Sequence, residues 1–363
     1  TVPIVGYSDK LSGRPGDQIN FMVSSEHKSD FTAQLFKSVS ADPNPKGQGI
    51  VEYACDDFFP KQTFSSRKQK FHPGSYGITE QTLKMSADDN IRFSVTVYPT
   101  LKTSNHQTLI EFGRFCLTLD PEGHPSFSFG SETVTTVDAV SMRRWQRVEA
   151  QINKTGLMSI ELINLDNSKD SKPAFFQLDV AWDLNEQAYV IIAAQRVKGS
   201  TKNCFNGKIE GPEIYADEPS IAVWDFSKNT SSLSVPGIGC PDLMLINAPT
   251  RAVTGAMWDA SEMNWQHKPE HYAAIAFHED DIYDFNWGAD FSFVIPPKMP
   301  SGIYIMRISC EDDYDAIPFF VCPEKGQPSA RLCVLVSTFT YVIYGNHARP
   351  DYNLSLIHIS EPT

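Results

Sequence analysis

The chain has 363 residues, 41% hydrophobic and 12% aromatic, which is enough apolar surface for two or three domains with their own cores. Its 31 Lys and Arg stand against 44 Asp and Glu, a formal charge of -13 spread along the sequence rather than gathered in a tail. That balance disfavours nucleic acid and anionic membrane as partners, and no run approaches the roughly 18 apolar residues of a membrane span.

The amino-terminal TVPIVGYSDK lacks the charged, apolar and small-residue regions of a secretory signal. Seven cysteines without a Cys-x-x-Cys pair give no structural zinc signature, and a reduced, cytoplasmic compartment is the simpler reading. Thiols inside apolar runs, such as Cys333, read as small hydrophobes.

Gly13, Pro15, Gly16 and Asp17 predict a turn, after which QINFMVSS and FTAQLFKSV read as strands. Too few strands follow locally for a sandwich. Far downstream, Phe291 to Pro323 supplies about three more, with a turn at Pro300, Ser301 and Gly302. The fold expected is mainly β: a discontinuous immunoglobulin-like sandwich from residues 1–65 plus 221–325, interrupted by a second β domain.

The inserted domain, 66–220, opens with Ile91 to Pro99 and passes through Leu109 to Asp120. Trp145 to Asn164 predicts two strands joined by a turn at Asn153 to Gly156, and Phe205 to Ser220 closes the domain. This order of a Trp strand, a hairpin and a closing Phe-x-Gly-x-Ile strand resembles a laminin-G or concanavalin-like jelly roll. No amphipathic helix longer than three turns is evident before residue 326.

Leu332 to Val336 is wholly apolar and reads as a parallel-sheet strand buried on both faces, the first strand of an α/β, amidotransferase-like domain over 326–353. Ligands in open α/β sheets sit at the carboxyl ends of strands, where Tyr341 and Tyr344 fall. A phenolate is a hard donor suited to ferric iron, although most tyrosines are packing residues. Residues 354–363, LSLIHISEPT, carry no periodicity, look like a translated sequencing-adapter scar, and are left out of the fold.

Phe277 to Asp284 gathers His278, Glu279, Asp280, Asp281 and Asp284, the oxygen donors a hard cation wants. The EF-hand spacing and the zinc-hydrolase His-Glu-x-x-His pattern are both missing, which favours a solvated acidic loop or polar contact, with His278 partly buried and hydrogen-bonded. There is no Gly-x-Ser-x-Gly elbow, and Gly237-Ile238-Gly239 reads as a turn. Trp224, Trp258, Trp265 and Trp287 could line a cleft but favour core packing.

Taken in order, VGYSDKLSGRPGDQINFMVSS, Ala41 to Ile50, GSYGI, AVWDFS, Asn247 to Asp259, PEHYAAIAFHEDDIYD, DAIPFFVCP and STFTYVIYGN resemble the large (beta) subunit of the N,N-dimethylformamidase family across residues 1–353. The resemblance implies an amidohydrolase that cleaves a small N-substituted amide to formate and an amine. It also implies a mononuclear ferric iron held by two tyrosinates and a glutamate, with Tyr344 as the first ligand and Tyr341 as second choice. The other ligands and catalytic groups are expected downstream of Asn353, so the chain reads as an amino-terminal fragment, inactive and without retained iron. Implied partners are a small subunit and other large subunits. The alternative is a lectin-like carbohydrate-binding or subunit-assembly β module without catalysis.

Overall fold

A computed structural model describes residues 3–340 other than 43, 45, 87–89, 167–171, 179–184, 198–199, 217–219 and 328–329. Apart from a 3-10 turn at Pro269–Tyr272 and a helical turn over 338–340, regular structure among the described residues is β-strand. Nearly all strand pairs are antiparallel; the short Ser12–Gly13 runs parallel to Asp313–Val321. None of the described helices is long and apolar enough to cross a membrane.

The chain forms two compact units, one built from residues up to Phe71 and from Asn286 onward, the other from His72 to Phe285. In the first, Gln18–Ser25 pairs with Ile4–Ser8 on one side and Phe291–Val294 on the other. A second sheet orders Ser12–Gly13, Asp313–Val321, Gly302–Cys310, Phe31–Ala41 and Ile50–Ala54, with Gln62–Phe64 also on Phe31–Ala41. Period-two alternation aims Tyr304, Met306, Ile308 and Cys310 inward, where they share a core with Ile19, Phe21, Val23 and Phe293 of the other sheet. Phe21 stacks on Phe291 at 5.0 Å between ring centroids. Each such side chain contributes about 1.5–3 kcal/mol by burial.

The second unit packs two larger sheets, counted among the described residues. One runs Glu132–Thr135, Pro125–Phe129, Phe115–Leu119, Gln107–Phe112, Val190–Ile192, Tyr76–Thr79, Leu243–Ile246 and Ser234–Val235. The other runs Ala174–Gln177, Leu157–Asn164, Gln146–Asn153, Asn90–Pro99, Gly207–Ala216, Ser220–Trp224 and Gly237–Ile238, with Ala274–Phe277 on Gly207–Ala216 and Thr250–Val253 beyond it. Phe93, Phe115 and Phe127 meet between the layers, with Trp224 fully buried in the same core.

The structure divides the chain differently from the expected 66–220 insertion. The short strands between 221 and 285 extend the sheets of the second unit: Leu243–Ile246 pairs with Tyr76–Thr79, and Ala274–Phe277 with Gly207–Ala216. Strands of two to five residues carry too little periodicity to declare which sheet they join. A second correction concerns Leu332 to Val336. It forms no strand, and Leu332, Val334 and Leu335 are 87%, 83% and 96% exposed. A strand meant to be buried on both faces needs neighbours, and none of the described residues pairs with it.

Candidate functional site

Tyr341 and Tyr344 lie outside the described residues. The acidic loop is described in full. Ser75 Oγ donates to Asp281 Oδ2 at 2.6 Å, and His278 Nδ1 lies 3.4 Å from the same oxygen. The backbone N–H of His278 donates to Ser75 Oγ at 3.1 Å, while the Ser75 N–H donates to the His278 carbonyl at 2.9 Å. Gly74 N–H donates to the Asp281 carbonyl at 2.8 Å, and Glu279 N–H to Asn206 Oδ1 at 3.1 Å. In a nucleophilic relay the imidazole stands between hydroxyl and carboxylate. Here the carboxylate stands between the other two, so the cluster fastens a loop and does not activate a serine. Glu279, Asp280 and Asp284 are exposed, and His278 is half-exposed.

Trp224 is core, its indole N–H donating to the Pro241 carbonyl at 3.1 Å. Trp287 packs on Tyr7 in the first unit, while Trp258 and Trp265 are partly exposed in the second. All seven cysteines are free thiols, and Cys333, expected as a buried hydrophobe, is exposed.

Sequence reasoning missed a polar cleft of about 690 Å³ on the outer face of the first sheet of the second unit. Along Pro125–Phe129 and Glu132–Thr135, Phe127 and Val134 turn into the core. The intervening hydroxyls then line the opposite face, with Ser126 on Thr135 at 2.9 Å and Ser128 on Thr133 at 2.8 Å. Serine or threonine in strict alternation with phenylalanine or valine was the signal available. Glu111, Gln195, Arg196 and Asn203 complete one wall; Asn203 Nδ2 donates to Gln195 Oε1 at 2.9 Å, and Arg196 N–H to Glu111 Oε2 at 3.2 Å. Burial raises the Glu111 carboxyl above its ordinary range and, with Glu111 nearby, pushes the Cys116 thiol up to about 12. Burial also acts upward on Asp120, but the backbone and ring of His124 outweigh it and leave that carboxyl lowered. This lining can hydrogen-bond a polar ligand; it holds no activated nucleophile.

Comparison with known proteins points in one direction. Residues 250–358 match the family model described as N,N-dimethylformamidase beta subunit-like, C-terminal. An N,N-dimethylformamidase beta subunit of Paracoccus aminophilus is 30% identical over 95% of this chain and 52% of its own length. The chain is similar to N,N-dimethylformamidase beta subunits. A second such subunit, from an Alcaligenes species, is 27% identical over the same shares, 95% and 52%. The chain thus spans about half the length of the family members it matches. The family match runs past Asn353 into the segment left out of the fold on sequence grounds. Among solved structures, a SAP-like pentraxin from Limulus polyphemus aligns over 52% of this chain and 76% of its own, at 12% identity and a TM-score of 0.30.

Proposed function

We propose that the chain is part of an amide hydrolase cleaving N,N-dimethylformamide, or a similar small N-substituted amide, to formate and an amine. The observation that carries this reading is the similarity, over 95% of the chain, to two proteins named as N,N-dimethylformamidase beta subunits. That naming also supports a multi-subunit enzyme, with a small subunit and further large subunits as partners. A bound ferric ion would supply Lewis-acid polarisation of the amide carbonyl and an acidified water. Tyr344 is the phenolate assigned to it, with Tyr341 as second choice; both fall within the matched stretch 250–358. The remaining ligands and the catalytic groups are placed by resemblance beyond Asn353, so the 363-residue chain alone is expected to be inactive and free of tightly held iron.

The test is to co-express the full-length parent with its small subunit, then measure iron content and formate release from N,N-dimethylformamide. Iron-loaded complex that releases formate, and loses its iron in Tyr344→Phe, supports the reading. Iron-loaded complex that releases no formate from any N-substituted formamide ends it.

A second reading, a lectin-like carbohydrate-binding module without catalysis, has one observation in its favour, the hydroxyl- and amide-lined cleft. Reproducible binding on a glycan array, lost in Asn203→Ala, would move weight toward it.

A further inference from the structure

The cysteine spacing carries no zinc signature, yet the fold of the first unit brings three kinds of donor to one point. His27 follows the strand Gln18–Ser25, while Cys310 and Glu311 stand at the tip of the hairpin between Gly302–Cys310 and Asp313–Val321. A ring nitrogen of His27, Sγ of Cys310 and a carboxylate oxygen of Glu311 all lie within 4.8 Å of one another. His27 Nδ1 is 3.3 Å from Glu311 Oε2. Two nitrogen or oxygen donors, each about 2.0–2.1 Å from a tetrahedral ion, stand about 3.3 Å apart.

The outer ring of partners is also in place. His27 Nε2 meets Asp313 Oδ2 at 2.9 Å, and Ser29 Oγ donates to Glu311 Oε1 at 2.7 Å. A metal-bound histidine characteristically gives its far N–H to a carboxylate, and a metal-bound carboxylate is itself hydrogen-bonded. The two ring nitrogens face carboxylates on opposite sides, Nε2 toward Asp313 and Nδ1 toward Glu311, so Nδ1 and Glu311 form a donor pair that a cation can bridge. Cys310 is 2% exposed, its thiol aimed at the Ser29 carbonyl at 3.3 Å.

We propose that His27 Nδ1, Cys310 Sγ and the Glu311 carboxylate bind a divalent transition-metal ion of the zinc class, with Asp313 and Ser29 as outer-sphere partners and a fourth position open to water. The mixed nitrogen, sulfur and oxygen set selects zinc or cobalt over magnesium or calcium. Binding exchanges the thiol proton for the metal, and that proton goes to solvent, one per ion bound.

Cobalt(II) tests this directly on the intact 363-residue chain stripped with chelator. One equivalent is expected to give a thiolate-to-cobalt charge-transfer band, displaced by zinc. Cys310→Ser should abolish the band, and Cys204→Ser, in the other unit, should retain it. Asp313→Asn, which leaves all three ligands, should weaken cobalt binding about 10–100-fold with an unchanged circular dichroism spectrum. Glu311→Gln, at an exposed hairpin tip, should weaken it comparably and guards against a folding defect in the cysteine variant. No thiolate band at one equivalent, or a band that survives in Cys310→Ser, overturns the proposal. Phenolate ligands give no thiolate band, so this outcome is independent of the iron reading above.

Discussion

Ser75 gives its hydroxyl proton to Asp281 at 2.6 Å while accepting the backbone N–H of His278 at 3.1 Å, so one hydroxyl holds two points of the same loop. The serine is completely buried, and its acceptor is an anion. Hydrogen bonds to charged groups contribute more than neutral ones. Ser75→Ala is therefore expected to cost about 1.5–3 kcal/mol, read as a lower urea midpoint. A change within experimental error would mean that the loop is held by its other bonds alone.

The two faces of Pro125–Phe129 should respond very differently to truncation. Phe127 is fully buried against Phe93 and Phe115, so Phe127→Ala is expected to cost about 3–5 kcal/mol. Ser126→Ala on the cleft side removes one hydroxyl pair and should cost only about 1 kcal/mol. Paired denaturation curves check the contrast, and equal losses would refute the assignment of faces.

Glu111 predicts a pH dependence with a definite sign. Burial raises its folded carboxyl above the unfolded value of about 4.3, so the native state binds the proton more tightly. Its contribution is fully present below that unfolded value and is lost as pH rises through the raised folded one. Glu111→Gln keeps an acceptor for the Arg196 N–H and removes the titration. The variant should be more stable than the parent at neutral pH, with a flatter fall of stability across the acidic range. Parallel slopes in urea midpoints measured against pH would rule the effect out.

Thiol labelling should separate the cysteines by exposure. Cys333 lies open to solvent, whereas Cys204, pushed up to about 11 by burial, and Cys310 are enclosed. Native-state alkylation followed by peptide mass spectrometry should modify Cys333 first, and Cys333→Ser should lose the fastest phase. The neighbouring Leu335, 96% exposed beside Val334, is an aggregation hazard. Leu335→Lys should lower concentration-dependent light scattering without moving the urea midpoint.

Much of the strand content was legible because period-two alternation is a local signal. The strands Asn90–Pro99, Gln146–Asn153, Leu157–Asn164 and Gly302–Cys310 fall where their side chains alternate or crowd with β-branched residues. Leu109 to Asp120 read as one run but is two strands, Gln107–Phe112 and Phe115–Leu119, broken at Gly113 in the left-handed region. The membership of 221–285 was not legible, because which sheet a four-residue strand joins depends on distant partners, as in Leu243 with Thr79 and Ala274 with Glu210. Nor was the cluster of His27 with Cys310 and Glu311, since spacing rules see ligands near in sequence and this set is made by strand pairing. The apolar run at Leu332 shows the converse: composition states what a segment would bury, and only neighbours decide whether it does.

Val23 donates to Asp290 at 2.7 Å across 267 positions of sequence. During synthesis at about 5–20 residues per second, Gln18–Ser25 and Phe31–Ala41 wait on the order of tens of seconds for the strands that complete their sheets. The intervening unit, continuous in sequence, has no such wait. Once formed, its Gly74 N–H to Asp281 carbonyl bond, with Ser75 on the same loop, clasps its entry to its exit. A detour of more than two hundred residues then closes like a short hairpin, and the entropy of joining the separated halves falls accordingly. The acidic run, read from sequence as a solvated loop or polar contact, thus ties together the two ends of the second unit.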